Sequence, residues 1–256
     1  MHHNSDINFI VSVIWIVGIS NAFNLLDNMD GLAAGVAVIS ALYLTLFYGG
    51  TESADYQRLA IVTAAAAGGF LLFNFYPARI FMGDCGSLFL GFLLGSLCLP
   101  QVTHVSGLPT LVLAPCVVLA IPVFDTAFVS VTRRLRGQPV SQGGTDHSSH
   151  RLVQLGLSER DAVLLLLGLS VISGAVALAA RHVFYSHAIV LLAIWFLVLL
   201  LFGIYLSRSD SIASSRGGSS SVSFSRARAE HVETITNSAH RICSSDEGES
   251  VPTLHA

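Results

Sequence analysis

Long, unbroken apolar stretches decide what this chain can fold into. A helix needs about 20 mainly apolar residues to cross the hydrocarbon core of a bilayer, and about 17 suffice at the short end. Seven stretches meet or approach that length: Phe9–Leu26, Leu32–Tyr48, Leu59–Phe75, Ser87–Val102, Leu108–Val131, Ala162–Ala180 and His187–Leu206. The fourth is short and Gly-rich, and the fifth carries Pro109, Pro115 and Pro122, which a packed membrane bundle tolerates. Composition agrees: 53% of the 256 residues are hydrophobic and 11% are charged, against about 25% charged in soluble domains. The expected fold is an all-α polytopic membrane bundle of about seven transmembrane helices.

The arginines orient it. All thirteen basic residues are Arg. With the N-terminus outside and alternating crossings, the segments 27–31, 76–86, 132–161 and everything after Leu206 share one side. That side holds eleven arginines, leaving Arg58 and Arg181 opposite. Basic residues near membrane ends favour the cytoplasm, so the crowded side is expected to be cytoplasmic. From Ser207 the chain turns Ser- and Arg-rich, with few large apolar residues. The expected division is therefore a membrane domain at 1–206 and a disordered cytoplasmic tail at 207–256, because such a tail cannot bury enough surface to offset its ordering entropy.

Other classes recede. A net charge of −3 without a basic stripe and interleaved aromatics gives no footprint for nucleic acid. Cys85, Cys98, Cys116 and Cys243 show no metal-binding spacing. The opening MHHNSD lacks the positive region of a cleavable signal peptide.

Three polar clusters remain, all on the arginine-rich side. The first, NAFNLLDNMDG, holds Asn21, Asn24, Asp27, Asn28 and Asp30. Ionisable groups near membrane depth are costly and usually face a polar cavity or a partner. The helix is expected to end near Leu26, with Asn28 and Gly31 supplying turn geometry. In the second, FNFYPARIFMGDCGS, Pro77 disfavours helix at Tyr76. Asp84 lies between Gly83 and Gly86 and reads either as a ligand for Mg²⁺ or as the cap of a helix beginning near Ser87. The third, RRLRGQPVSQGGTDHSSHRL, places His147 and His150 on one side of a turn or short helix. Arg151 and Asp146 beside them suit recognition of an anionic phosphate. No third strong ligand joins the histidines in register for zinc, and Arg133, Arg134 and Arg136 read as membrane anchors. Asp125, inside the fifth stretch, is the most deeply placed acid, with no partner evident from sequence.

NAFNLLDNMDGLAAG, FNFYPARIFMGDCGSLFLG and the Arg-rich loop ending DHSSHRL resemble the polyprenyl-phosphate N-acetylhexosamine-1-phosphate transferases, from about Trp15 to Leu167. That family starts lipid-linked peptidoglycan, teichoic acid and O-antigen lipopolysaccharide synthesis. The resemblance implies transfer of a phosphosugar from UDP-N-acetylhexosamine to a membrane polyprenyl phosphate, releasing UMP, with Mg²⁺. It implies Asp84 as the magnesium ligand and Asp27 and Asp30 as the catalytic acids of the nucleotide-sugar motif. Asn21, Asn24, Asn74 and Phe81 are implied in substrate binding, the last two at the uridine. His147 and His150 fall in the phosphate-binding loop. A homodimer is also compatible with the family.

Two departures stand out. Where the family has His-x-His-His, Ser149 occupies the middle histidine position. The family's adjacent aspartate pair, placed in an earlier loop, occurs nowhere in this chain, which is expected to be the C-terminal portion of a family member with negligible turnover alone. A membrane protein that binds nucleotide sugar or prenyl phosphate without turnover is the rival expectation. An ion-coupled transporter with midspan acids such as Asp125 fits less well, because the acids gather at one membrane face.

Overall fold

The structure, a computed structural model, describes residues 3–49, 54–103, 117–137, 146–184 and 186–208. Every regular element among them is a helix: α1 His3–Leu26, α2 Leu32–Tyr48, α3 Ala54–Asn74, α4 Gly83–Thr103, α5 Ala120–Leu135, α6 Ser148–Gln154, α7 Glu159–His182 and α8 Ser186–Arg208. The chain divides into two units after Ser207, and the helical bundle belongs to the first, Met1–Ser207. The disorder expected of 207–256 falls almost wholly outside the described residues, as does 108–116 of the fifth stretch.

Among the described residues, four helices are long and apolar enough to cross a membrane: Asn8–Leu26, Ala54–Asn74, Glu159–His182 and Ser186–Arg208. Leu32–Tyr48 and Gly83–Leu99 are shorter apolar helices packed among them. Phe9, Ile10, Ile14 and Val17 on α1, Ile61, Val62 and Leu72 on α3, and Phe196, Leu197 and Leu201 on α8 all point outward. Apolar side chains turned outward on helices of spanning length belong against lipid rather than water. The protein is a multi-pass membrane helix bundle.

Its centre is α2. LAAGVAVISALYLTLFY is apolar around its whole circumference, which suits a helix surrounded by others. Leu32, Val36, Ala37, Ala41, Leu44 and Phe47 all belong to the single large core. Close approach elsewhere depends on small residues, as in membrane bundles generally. A Cβ on Gly91 of α4 would lie 2.6 Å from the Ser20 Cα of α1, so this crossing accepts no side chain. Trp15 on α1 then reaches the Gly95 carbonyl at 3.1 Å.

Helix ends fall where local chemistry puts them. α1 stops at Leu26, and Gly31 turns the chain into α2 with φ 79°, where a Cβ would meet the Phe75 ring at 2.9 Å. α3 stops at Asn74, ahead of Pro77. The expected fifth crossing differs most. Its described helix continues past Val131 to Leu135 and carries Arg133 and Arg134 in its last turn. Asp125 on this helix packs against the His147–Ser148 segment, so its partners come from the third polar cluster.

Candidate active site

Side-chain hydrogen bonds draw the three sequence clusters together at one end of the bundle. Asn24, in the last turns of α1, donates to Asp84 Oδ1 and to Ser87 Oγ, both at 3.1 Å. Asp30 Oδ2 accepts the Ala78 N–H at 2.9 Å. Asn74 is buried and spans the same gap: its Oδ1 accepts the Gly31 N–H at 3.1 Å and its Nδ2 donates to the Ile80 carbonyl at 2.9 Å. The third cluster joins through Ser149, whose Oγ lies 2.6 Å from Asn28 Oδ1.

The acids share one electrostatic environment. Burial raises the Asp27 carboxyl above its ordinary value, and the charges of Asp84 and then Asp30 raise it further. A carboxyl raised by burial and by like charges beside it is of the kind that gathers at functional sites. Asp84 itself is exposed, in the first turn of α4 rather than before it. The helix starts at Gly83, so Asp84 is not the cap of a helix near Ser87. There a negative charge faces the positive end of the helix dipole. Phe81, 78% exposed, stands beside it with its ring uncovered.

His147 and His150 lie at the other edge, their ring centroids 6.4 Å apart. His147 is buried at the N-cap of α6 with its Nδ1 2.8 Å from Asp125 Oδ2. His150 is half-buried, and burial, then the neighbouring His147, lowers its pKa against the opposing pull of Asp125 and Glu159. The neutral ring is thus favoured until an anion arrives beside it.

Several residues take positions that sequence did not anticipate. Arg151, read as a phosphate receptor, is buried with its guanidinium 4.6 Å from the Phe128 ring centre. Its Nε donates to the Asp146 carbonyl and its Nη1 to the Leu206 carbonyl of α8, so the group is engaged in holding α6 to the bundle. Arg133 is no simple membrane anchor either: it is buried and pairs with Asp146 at 3.1 Å, while Arg134 and Arg136 do lie exposed. Asn21 is exposed and donates to Val17 on its own helix, apart from the Asn24–Asp84 contact. Ser87, Ser148 and Ser149, all fully buried, were missed. Nothing local to these hydroxyls gives them a role, and only their distant partners distinguish them.

The donors fit Mg²⁺ in kind. Asp27, Asp30 and Asp84 supply hard oxygens, and the cation commonly takes one or two carboxylates and completes its shell with water and substrate phosphates. Among the described residues no three His, Cys, Asp or Glu side chains form a ready-made metal cage, so the phosphates would have to complete the coordination.

Fold and site together define a polytopic membrane protein with acids, amides and histidines convergent at one end. Residues 2–101 match the family model described as glycosyl transferase family 4. A probable undecaprenyl-phosphate N-acetylglucosaminyl 1-phosphate transferase of Bacillus subtilis is 39% identical over 189 residues, which is 73% of this chain and 52% of that protein. A phospho-N-acetylmuramoyl-pentapeptide-transferase of Pelotomaculum thermopropionicum is 37% identical over 171 residues, 67% of this chain and 50% of the relative. A decaprenyl-phosphate N-acetylglucosaminephosphotransferase of Mycolicibacterium smegmatis is 34% identical over 178 residues, covering 62% of the chain and 44% of the relative. The chain belongs to the polyprenyl-phosphate N-acetylhexosamine-1-phosphate transferase family. It spans about half the length of the curated relatives it matches.

Proposed function

We propose that this end of the bundle binds UDP-N-acetylhexosamine with Mg²⁺ and serves transfer of N-acetylhexosamine-1-phosphate to a membrane polyprenyl phosphate, releasing UMP, in cell-envelope polysaccharide synthesis. The observation that carries the reading is the contact of Asn24 with Asp84, beside the raised Asp27 carboxyl. It brings the acid of the α1–α2 turn near the acid in the first turn of α4.

Each residue has a task its surroundings suit. Asp84, with Asp27 beside it, would hold the cation against the donor diphosphate. When bound, Mg²⁺ neutralises that diphosphate and stabilises charge on the departing UMP. Asp30 and Asn74, tied to Ala78, Gly31 and Ile80, fix the turn that carries Asp27 relative to the Phe81 loop. Phe81 offers an aromatic face to a base. Asn74 spends both ends of its amide on backbone, so it acts by shaping the pocket wall rather than as the main contact to uracil. His150 gains a proton as a phosphate approaches and then donates a charge-assisted hydrogen bond. Eleven of thirteen arginines on the side assigned to these loops support a cytoplasmic site, where a soluble donor meets a lipid acceptor.

The test uses the full chain in lipid nanodiscs with UDP-N-acetylglucosamine, Mg²⁺ and undecaprenyl phosphate. Saturable, Mg²⁺-dependent donor binding is expected. UMP released on adding the acceptor assigns full transfer to this chain. Binding without release favours the reading in which it holds the donor and does not turn it over. No donor binding at all overturns the proposal.

A further inference from the structure

Among the described residues, the one buried carboxylate with no task so far is Asp125, 1% exposed on α5. Its Oδ1 lies 2.8 Å from the Ser148 backbone nitrogen and 2.6 Å from the Ser148 hydroxyl. Its Oδ2 lies 2.8 Å from His147 Nδ1. A backbone N–H only donates, so Oδ1 is an acceptor, already taken by Ser148. Oδ2 is then the oxygen left to receive a ring proton, and the ring atom facing it is Nδ1. In a neutral imidazole a proton on Nδ1 leaves the lone pair on Nε2, the nitrogen for which no partner occurs among the described residues.

We propose that Asp125 is a positioning residue that fixes His147 as the Nδ1–H tautomer and so presents Nε2 to a phosphate group of the ligand. A carboxylate behind an imidazole orients the ring and makes its far nitrogen more basic. A protonated phosphate oxygen can then donate to the Nε2 lone pair, on a ring whose orientation Asp125 fixes. Ser148 belongs to the device because it occupies Oδ1 with two donors and stops the carboxylate from rotating away from the ring. The phosphate part rests on the function proposed above; the tautomer does not.

Nitrogen-15 NMR of the full chain, labelled at histidine and held in nanodiscs, reads the tautomer directly. The His147 signals are assigned by their loss in His147→Gln. At mildly alkaline pH the expected pattern is a protonated Nδ1 and a lone-pair Nε2, with Nε2 moving toward its protonated position when farnesyl phosphate is added. In Asp125→Asn the side-chain oxygen keeps Ser148, the NH₂ group turns to the ring, and the tautomer inverts to Nε2–H. The same aspartate-to-asparagine logic inverts the histidine of a serine protease triad. A wild-type Nε2–H ring, or an Asp125→Asn ring that keeps its tautomer, overturns the role of Asp125. The wild-type spectrum decides alone if the variant does not fold. The expected tautomer with an Nε2 signal indifferent to farnesyl phosphate overturns instead the phosphate contact borrowed from the proposed function.

Discussion

Ser149 Oγ and Asn28 Oδ1 meet at 2.6 Å, joining residues 121 positions apart. Asn28 uses its NH₂ on the Leu25 carbonyl at 2.8 Å, so its oxygen is the acceptor and the serine hydroxyl the donor. This bond fastens α6, with His147 and His150, to the turn that carries Asp27 and Asp30. Ser149→Ala is expected to cost about 1 kcal/mol of stability, the usual net worth of one hydrogen bond, and to weaken donor binding by loosening the two clusters. Ser149→His restores the residue usual in the family yet places an imidazole where the serine is fully buried. Overpacking of that kind costs about 1–3 kcal/mol. Thermal unfolding in nanodiscs should rank wild type above alanine and alanine at or above histidine; a histidine variant more stable than wild type would show that the Asn28 clasp is not what this position requires.

Asp27 gives a pH dependence with a definite sign. Its folded pKa lies above the ordinary 3.8, through burial and then the charges of Asp84 and Asp30. The folded state therefore holds its proton at pH values where the unfolded chain has lost it. Its contribution to stability is fullest below 3.8 and is lost as pH rises through the window up to the raised folded value. A bound cation reverses the balance by favouring the ionised form, so Mg²⁺ binding should tighten as pH climbs through the same window. In EDTA at neutral pH, Asp27→Asn should unfold at a higher temperature than wild type, and Mg²⁺ should raise the wild-type midpoint more than the variant's. A lower midpoint for Asp27→Asn in EDTA would show that the charge is already compensated within the protein.

Much of the fold was legible because membrane helices report themselves locally. The apolar stretches, the stop at Leu26 and the stop before Pro77 follow from composition and turn chemistry within a few residues. The gathering of Asn24, Asp27, Asp30 and Asp84 at one end could be anticipated because alternating crossings return every second loop to the same side. Long-range pairings were not legible. Nothing near Asp125 announces His147 and Ser148, and nothing near Ser149 announces Asn28. Arg151 misled for a related reason: an arginine beside two histidines looks available, and only the Phe128 ring and the Asp146 carbonyl show that it faces inward. The helix Ala120–Leu135 also departed from the expected span, since a hydropathy boundary at Val131 gives no weight to a buried, ion-paired Arg133.

Sidedness is open to direct labelling through a native probe. Cys85 is exposed immediately after Asp84, whereas Cys98 is buried. With the remaining cysteines replaced by Ala or Ser, Cys85 should react with a membrane-impermeant maleimide only in inverted vesicles. A cysteine placed at Asp55, also exposed, should react only in right-side-out vesicles. Protection of Cys85 by UDP-N-acetylglucosamine with Mg²⁺ would tie the label to the site, and labelling of both positions from one side would contradict the arginine-based orientation.

Central to the proposed site is a charge on Asp84 that holds a cation against the donor diphosphate. Asp84→Asn isolates that charge, because the amide oxygen still accepts from Asn24 Nδ2, which in the wild type bonds Asp84 Oδ1 at 3.1 Å. The measurement is a calorimetric titration of UDP-N-acetylglucosamine into the full chain in nanodiscs, with Mg²⁺ and with EDTA, for wild type and Asp84→Asn. The expected variant has an unchanged unfolding temperature in EDTA and a Mg²⁺-dependent affinity weakened at least tenfold, about 1.4 kcal/mol. Where transfer is measurable, its rate should fall on the order of a hundredfold or more, since Lewis-acid stabilisation of a departing phosphate supplies several kcal/mol. An Asp84→Asn protein that binds the donor with wild-type affinity and the same dependence on Mg²⁺ would contradict this role for Asp84 and move the cation to Asp27 or Asp30.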